Sequence, residues 1–193
     1  MNMFLEQFPP EGKNQGWIEV VCGSMFSGKT EELLRRIKRA KFANQKILLV
    51  KPSVDKRYSD KKVVSHQGSS QEAILVNSSK DILEVWKNER VVAIDEAQFF
   101  DEDIVEVCNT LAKNGARVII AGLDMDFKGV PFGPMPKLLA IAEYVTKVHA
   151  VCLSCGNLAQ FSHRIVKDQK QVMLGAVEEY EPLCRACYNK IKH

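Results

Sequence analysis

Three sets of side chains in this sequence have the types and spacing to do chemistry. Gly23, Ser24, Met25, Phe26, Ser27, Gly28, Lys29 and Thr30 together fit G-x-x-x-x-G-K-[S/T]. Such a loop points its backbone N–H groups at one place, at the positive end of a helix dipole, and so cradles phosphate oxygens. Its glycines permit backbone angles and a close approach that a Cβ would block. Lys29 would then reach the β- and γ-phosphates, and the Thr30 hydroxyl would hold Mg²⁺.

The second set is Asp95 and Glu96, which close the apolar run Val91–Ile94. A strand ending this way brings Asp95 to the carboxyl edge of a sheet beside the phosphate loop, where it can hold the magnesium directly or through water. Successive strand residues point opposite ways, so Glu96 can face another ligand and accept a proton from an attacking hydroxyl or water. Capping the next helix is a plainer role for both, as it is for Asp101, Glu102 and Asp103. The apolar run favours the metal role for Asp95; for Glu96 both roles stay open until an acceptor is known.

The third set is Cys152-x-x-Cys155 and Cys184-x-x-Cys187. Each pair forms a knuckle whose thiolates converge on one ion, and two knuckles close a tetrahedron, the pattern of a structural Zn²⁺. Four thiolates leave no open position for catalysis. The ion would instead pin both ends of residues 156–183, a segment too short and polar to fold alone. Cys22 and Cys108 sit in apolar contexts and read as small core residues.

These groups need elements to hold them. Trp17 to Met25 reads as a buried strand and Lys29 to about Ala43 as a helix, with Leu33, Ile37 and Ala40 on one face and Arg35, Arg36, Lys38 and Arg39 elsewhere. Lys46–Ser53 is a second strand, stopped by Pro52. Val54–Ser70 is a polar loop or mobile hairpin, "QEAILV" a short strand, and Asp81–Asn88 a helix opened by "SSKD". "RVVAIDEAQFF" and "ARVIIAGLDMDF" are strands flanking the helix Ile104–Lys113. "PKLLAIAEY" is helical, "VTKVHAVC" extended, and "RACYNKIKH" a terminal helix. Strand and helix alternate through residue 148, which predicts an α/β domain with a mainly parallel sheet. The pattern then breaks, placing a boundary near residue 149 between an ATP-binding unit, 1–148, and a small cysteine-bearing unit, 149–193.

Composition narrows the partners. The 193 residues are 46% hydrophobic and carry a formal charge of only +3, so nothing argues for nucleic acid or an anionic membrane as partner. No apolar run approaches the roughly 18–20 residues needed to span a bilayer. The first 16 residues lack the basic and long apolar regions of an export signal, and a cytoplasmic protein is expected.

With these features in view, the sequence resembles the thymidine kinases shared by many bacteria and animal cytosol. The resemblance rests on "GSMFSGKT", "KPSVDKRYS", "IDEAQFF", "AGLDMDFKGVPFGPM", "CLSCGNLAQFSHR" and "EEYEPLCRACY", in order and over nearly the whole chain. It implies a RecA-like α/β domain and a zinc-ribbon-like C-terminal unit with a lasso loop over the nucleoside, assembled as a homotetramer. The implied reaction passes the γ-phosphoryl of ATP to the 5′-hydroxyl of thymidine, with deoxyuridine as a second acceptor and dTTP as feedback inhibitor. Glu96 matches the family's general base. Gln98 and Arg57 join Asp95 and the phosphate loop on the ATP and magnesium side, and Arg164 matches an arginine near the phosphates. Phe99 offers a platform for thymine, and Met25, Leu123, Phe127 and Phe132 match the base pocket. Phe161, Ser162, Val172, Gly175 and Tyr180 match segments that wrap the nucleoside. Ser162 and His163 stand where many members have threonine and lysine.

An ATP-driven motor on nucleic acid is the alternative, since "DEAQ" is similar to helicase motifs. The near-neutral charge and the lack of room for a second ATPase core weigh against it. A GTPase-like switch would need a guanine-reading Asn-Lys-x-Asp, absent at the strand end.

Overall fold

The computed structural model describes residues 15–54, 62–64, 70–166 and 179–191. In chain order these form β1 (Trp17–Cys22), α1 (Lys29–Phe42), β2 (Ile47–Pro52), β3 (Lys62–Val64), β4 (Ser70–Glu72), β5 (Ile74–Val76), α2 (Asp81–Val85) and β6 (Val91–Ile94). There follow a 3-10 turn (Ala97–Phe99), α3 (Ile104–Lys113), β7 (Arg117–Gly122), α4 (Met135–Ile141), β8 (Tyr144–Lys147), β9 (Ala150–Val151), β10 (Leu158–Ala159), β11 (Phe161–Arg164), β12 (Tyr180–Leu183) and α5 (Arg185–Ile191).

The central sheet has six strands in the order β5-β2-β6-β7-β1-β8, every neighbour parallel. Helices cover both faces, which is why β6 (VVAI) and β7 (RVIIAG) are buried along their length rather than alternating. One face carries Ile18, Val20, Cys22, Val118 and Ile120 against α3 and α4; the other packs Leu49, Ala93, Ile119 and Ala121 against Leu33, Ile37 and Ala40 of α1. Cys22 and Cys108 are core thiols, as expected. Burial pushes Cys108 up to about 12, and burial followed by the nearby Asp124 pushes Cys22 up to about 11.

Several local expectations change. Arg36, placed off the apolar stripe by the helical wheel, is fully buried. It donates to Glu19 Oε2 at 2.7 Å, while Arg117 donates to Glu19 Oε1 at 2.6 Å, so one buried carboxylate binds α1 to β1 and β7. Removing one partner of such a pair typically costs about 3–5 kcal/mol, and this network fixes the helix that begins at Lys29. "QEAILV" is two pieces: β4 pairs antiparallel with β3 in a hairpin, and β5 joins the main sheet. α2 ends at Val85, with Trp86 extended, and its opening is held by Asp81, which accepts from the Asn77 and Ser78 N–H groups. β6 ends at Ile94, before both acids.

After β8 come two antiparallel pairs, β9 with β10 and β11 with β12, then α5. Their core is Ala150, Cys152, Ala159, Phe161, Leu183, Cys184, Cys187 and Tyr188, with Phe26 and Met125 packed against it. Among the described residues no helix is long and apolar enough to cross a membrane.

Candidate active site

The loop between β1 and α1 has the backbone its glycines predict. Gly28 is left-handed (φ 87°) and Gly23 lies at φ 150°. A Cβ on Gly23 would sit 2.2 Å from the Val148 carbonyl oxygen, so the chain after β8 passes too close for any side chain. Gly23→Ala is therefore expected to lower the thermal midpoint and raise the KM for ATP several-fold, because a backbone carbonyl has to shift. Strain of this kind is worth about 1–3 kcal/mol. Thermal unfolding and ATP kinetics check it; an unchanged KM would show that the loop tolerates the shift.

Within the loop, Lys29 Nζ and Ser27 Oγ both donate to the Ser24 carbonyl, each at 2.7 Å. The first half of the loop is tied to the C-terminal unit: Met25 N–H donates to Ser162 Oγ at 2.9 Å, and the half-buried Phe26 packs on that unit's core.

Asp95 is buried, its N–H donating to Val50 O at 3.0 Å, and its Oδ1 accepts from the Glu96 N–H at 3.0 Å. Glu96 lies beyond the strand in the left-handed region (φ 53°, ψ 40°). The alternation argument for its direction is therefore replaced by a turn, with Phe99 N–H donating back to Glu96 O at 3.1 Å. A left-handed non-glycine costs about 1–3 kcal/mol and persists only where its surroundings hold it. Gln98 supplies part of that hold, donating to Glu96 Oε2 at 2.5 Å. Of the three following acids, Asp101 acts as a cap, accepting from the Asp103 and Ser79 N–H groups.

Beside these groups lies a narrow cleft of about 30 Å³ lined by Met25, Phe99, Leu123, Met125, Asp126, Phe127, Phe132, Ser162, Arg164 and Tyr180. It gathers the expected Met25, Phe99, Leu123, Phe127, Phe132, Ser162 and Tyr180. Phe99 and Phe132 meet edge to face at 5.8 Å. The Arg164 guanidinium sits 3.7 Å over the Phe127 ring and donates to Tyr180 Oη at 2.6 and 2.9 Å, so it forms part of the aromatic wall. Phe161 lies apart: its ring stacks on Tyr188 at 4.4 Å inside the C-terminal core. Arg57, Val172 and Gly175 lie outside the described residues.

Sequence reading passed over Met125 and Asp126. Asp126 builds the β7–α4 connection, its Oδ1 accepting from the Lys128 and Val130 N–H groups at 2.9 and 3.0 Å. The signal was present in "DFKG", an aspartate three residues before a glycine at φ 74°, which is turn chemistry.

The Sγ atoms of Cys152, Cys155, Cys184 and Cys187 lie within 4.8 Å of one another, a set that can hold a metal ion. The Cys184 backbone N–H, with those of Ser154 and Cys155, pulls the Cys152 thiol down to about 6, and the Asn157 N–H lowers Cys155. At Cys187 the Ser154 hydroxyl lowers the thiol, but Cys155 and Cys184 outweigh it and push it up to about 11. Four thiolates so close cannot all ionise without a cation between them, so the donor set fits a divalent ion.

A family model for thymidine kinase matches residues 16–188. Thymidine kinases of Bacteroides fragilis (strain YCH46) and Bacteroides thetaiotaomicron are each 60% identical to this chain, over 98% and 97% of it and 96% and 94% of their own lengths. That of Porphyromonas gingivalis (strain ATCC 33277) is 55% identical over 98% of this chain and 93% of its own.

Proposed function

We propose that this chain, which belongs to the thymidine kinase family, transfers the γ-phosphoryl group of ATP to the 5′-hydroxyl of thymidine. The observation that best supports the reading is that Met25 belongs both to the phosphate loop and to the aromatic cleft. A nucleoside whose base lies among Phe99, Leu123, Phe127 and Phe132 thus lies next to the loop that holds ATP. Glu96, three residues before Phe99, accepts the 5′-hydroxyl proton as the oxygen attacks the γ-phosphorus. The bond to the β–γ bridging oxygen breaks and ADP leaves. Lys29 and the N–H groups entering α1 stabilise charge on the phosphoryl oxygens. Thr30 and Asp95 would hold Mg²⁺, which neutralises the β- and γ-phosphate oxygens when bound. The four cysteines would hold structural Zn²⁺, the ion whose tetrahedral Cys₄ preference they match.

The finer parts of the reading are a division near residue 149, a cytoplasmic setting that keeps the thiols reduced, deoxyuridine as a second acceptor, inhibition by dTTP and a homotetramer. Exposed Val145 and Tyr144 on the sheet-edge strand β8 support self-association, which sedimentation velocity measures. The test of function is ADP release from ATP and Mg²⁺ across a nucleoside panel. Thymidine should raise turnover well above the basal rate, deoxyuridine less, and dTTP should suppress it. Turnover that responds to single-stranded DNA and not to thymidine would favour the nucleic-acid ATPase instead.

A further inference from the structure

Gln98 is 3% exposed, and both ends of its amide are engaged. Its Oε1 accepts from the Leu123 N–H at 2.9 Å, and its Nε2 donates to Glu96 Oε2 at 2.5 Å. The orientation of the amide follows from chemistry, because a backbone N–H can only donate and so must face the carbonyl end. Two glycines make the space. A Cβ on Gly122 would lie 2.9 Å from Gln98 Oε1, and one on Gly133 would lie 2.6 Å from the Gln98 carbonyl. Replacing either would press on this residue. At Gly122 the Met135 Sδ would lie closer still, at 2.7 Å, so Gln98 packs against the end of β7 and the turn before α4 with no room for a larger residue.

We propose that Gln98 is the positioning residue of Glu96, coupling the carboxylate to the Leu123 backbone in the nucleoside cleft wall. The inference rests on the reading of Glu96 as base and moves Gln98 from the ATP and magnesium contacts, where the family resemblance put it. The amide fixes one oxygen of a carboxylate carried on a left-handed turn. Because Leu123 lines the cleft, one side chain sets the distance between the bound nucleoside and the group that takes its proton. Gln98 does not line the cleft, and both ends of its amide meet protein groups. Its loss should therefore lower kcat with little change in binding, and a misplacement near 1 Å can cost about 10²-fold.

The experiment is a double-mutant cycle with Gln98→Met, which keeps the length and removes both amide hydrogen bonds, and Glu96→Gln. Kinetics are read below the thermal midpoint of each variant, with KM measured for thymidine and for ATP. Gln98→Met is expected to lower kcat by about 10–10²-fold with both KM values nearly unchanged, and to add almost nothing to the loss in the Glu96→Gln background. An equal factor in both backgrounds would mean that Gln98 acts through general stability and would overturn the proposal. So would a raised KM for ATP at normal kcat, the signature of a nucleotide ligand, or a fully active Gln98→Met. Near-normal turnover of Glu96→Gln alone would remove the base itself, and the proposal with it. That outcome is distinct from a failure confined to Gln98.

Discussion

Glu96→Gln is expected to lower kcat by about 10²–10⁴-fold while nucleotide affinity stays close to that of the parent chain. The substitution keeps the shape of the side chain, and its amide oxygen can still accept from Gln98 Nε2, so the turn beyond β6 has no new clash to relieve. What it removes is the capacity to take a proton from the attacking hydroxyl. The proposed ATP contacts come from a different segment, the loop Gly23–Thr30, which leads into α1, the helix tied to the sheet by the buried Glu19–Arg36–Arg117 network. Steady-state kinetics with thymidine, and titration with a non-hydrolysable ATP analogue, separate the two effects. Retained turnover would require another base; weakened ATP binding with equal loss in kcat would put Glu96 on the nucleotide side.

The second large effect is expected from Cys184→Ser. Serine does not supply the thiolate that a Cys₄ site needs, and Cys184 is buried in the C-terminal core beside Cys152, Leu183 and Tyr188. If the four cysteines hold Zn²⁺ as proposed, ion binding and local folding would be one equilibrium, with binding worth about 10–16 kcal/mol in isolated zinc peptides. Soluble yield and thermal midpoint should both fall sharply, and a strong chelator should do the same to the parent chain. The phosphate loop should feel the loss as well, because Met25 N–H donates to Ser162 Oγ and Phe26 packs on the same core. A raised KM for ATP, not for thymidine alone, is therefore part of the expected result. Equal stability with and without chelator, or metal analysis showing no zinc, would contradict the metal assignment.

Much of this site was legible in the sequence because its parts are local. Gly23–Thr30 is contiguous, each cysteine knuckle spans four residues, and the apolar runs of β6 and β7 are short and β-branched, as buried strands are. Register and turn geometry were less legible. The alternation of a strand predicts that Asp95 and Glu96 diverge, but β6 stops at Ile94 and a left-handed turn does the separating. Nothing in "IDEAQFF" announces that turn, since glutamate seldom adopts it and Gln98 must reach back to hold it. Arg36 reads as surface because charge is counted before partners, and its partner Glu19 is 17 residues away. Phe161 reads as nucleoside contact by its place in the motif. Only the fold shows Tyr188 of α5 stacked on its ring.

The central claim is that one carboxylate beyond β6 meets the sugar alcohol of a nucleoside held in the Met25–Phe99–Leu123–Phe132 cleft. Its most direct test is a crystal structure with thymidine and a non-hydrolysable ATP analogue. A carboxylate oxygen of Glu96 should lie about 2.6–3.2 Å from the 5′-oxygen, the reach of a general base, with the γ-phosphate in line beyond it. A complex with thymidine seated in the cleft and Glu96 turned away, another group standing at the 5′-oxygen, would contradict it.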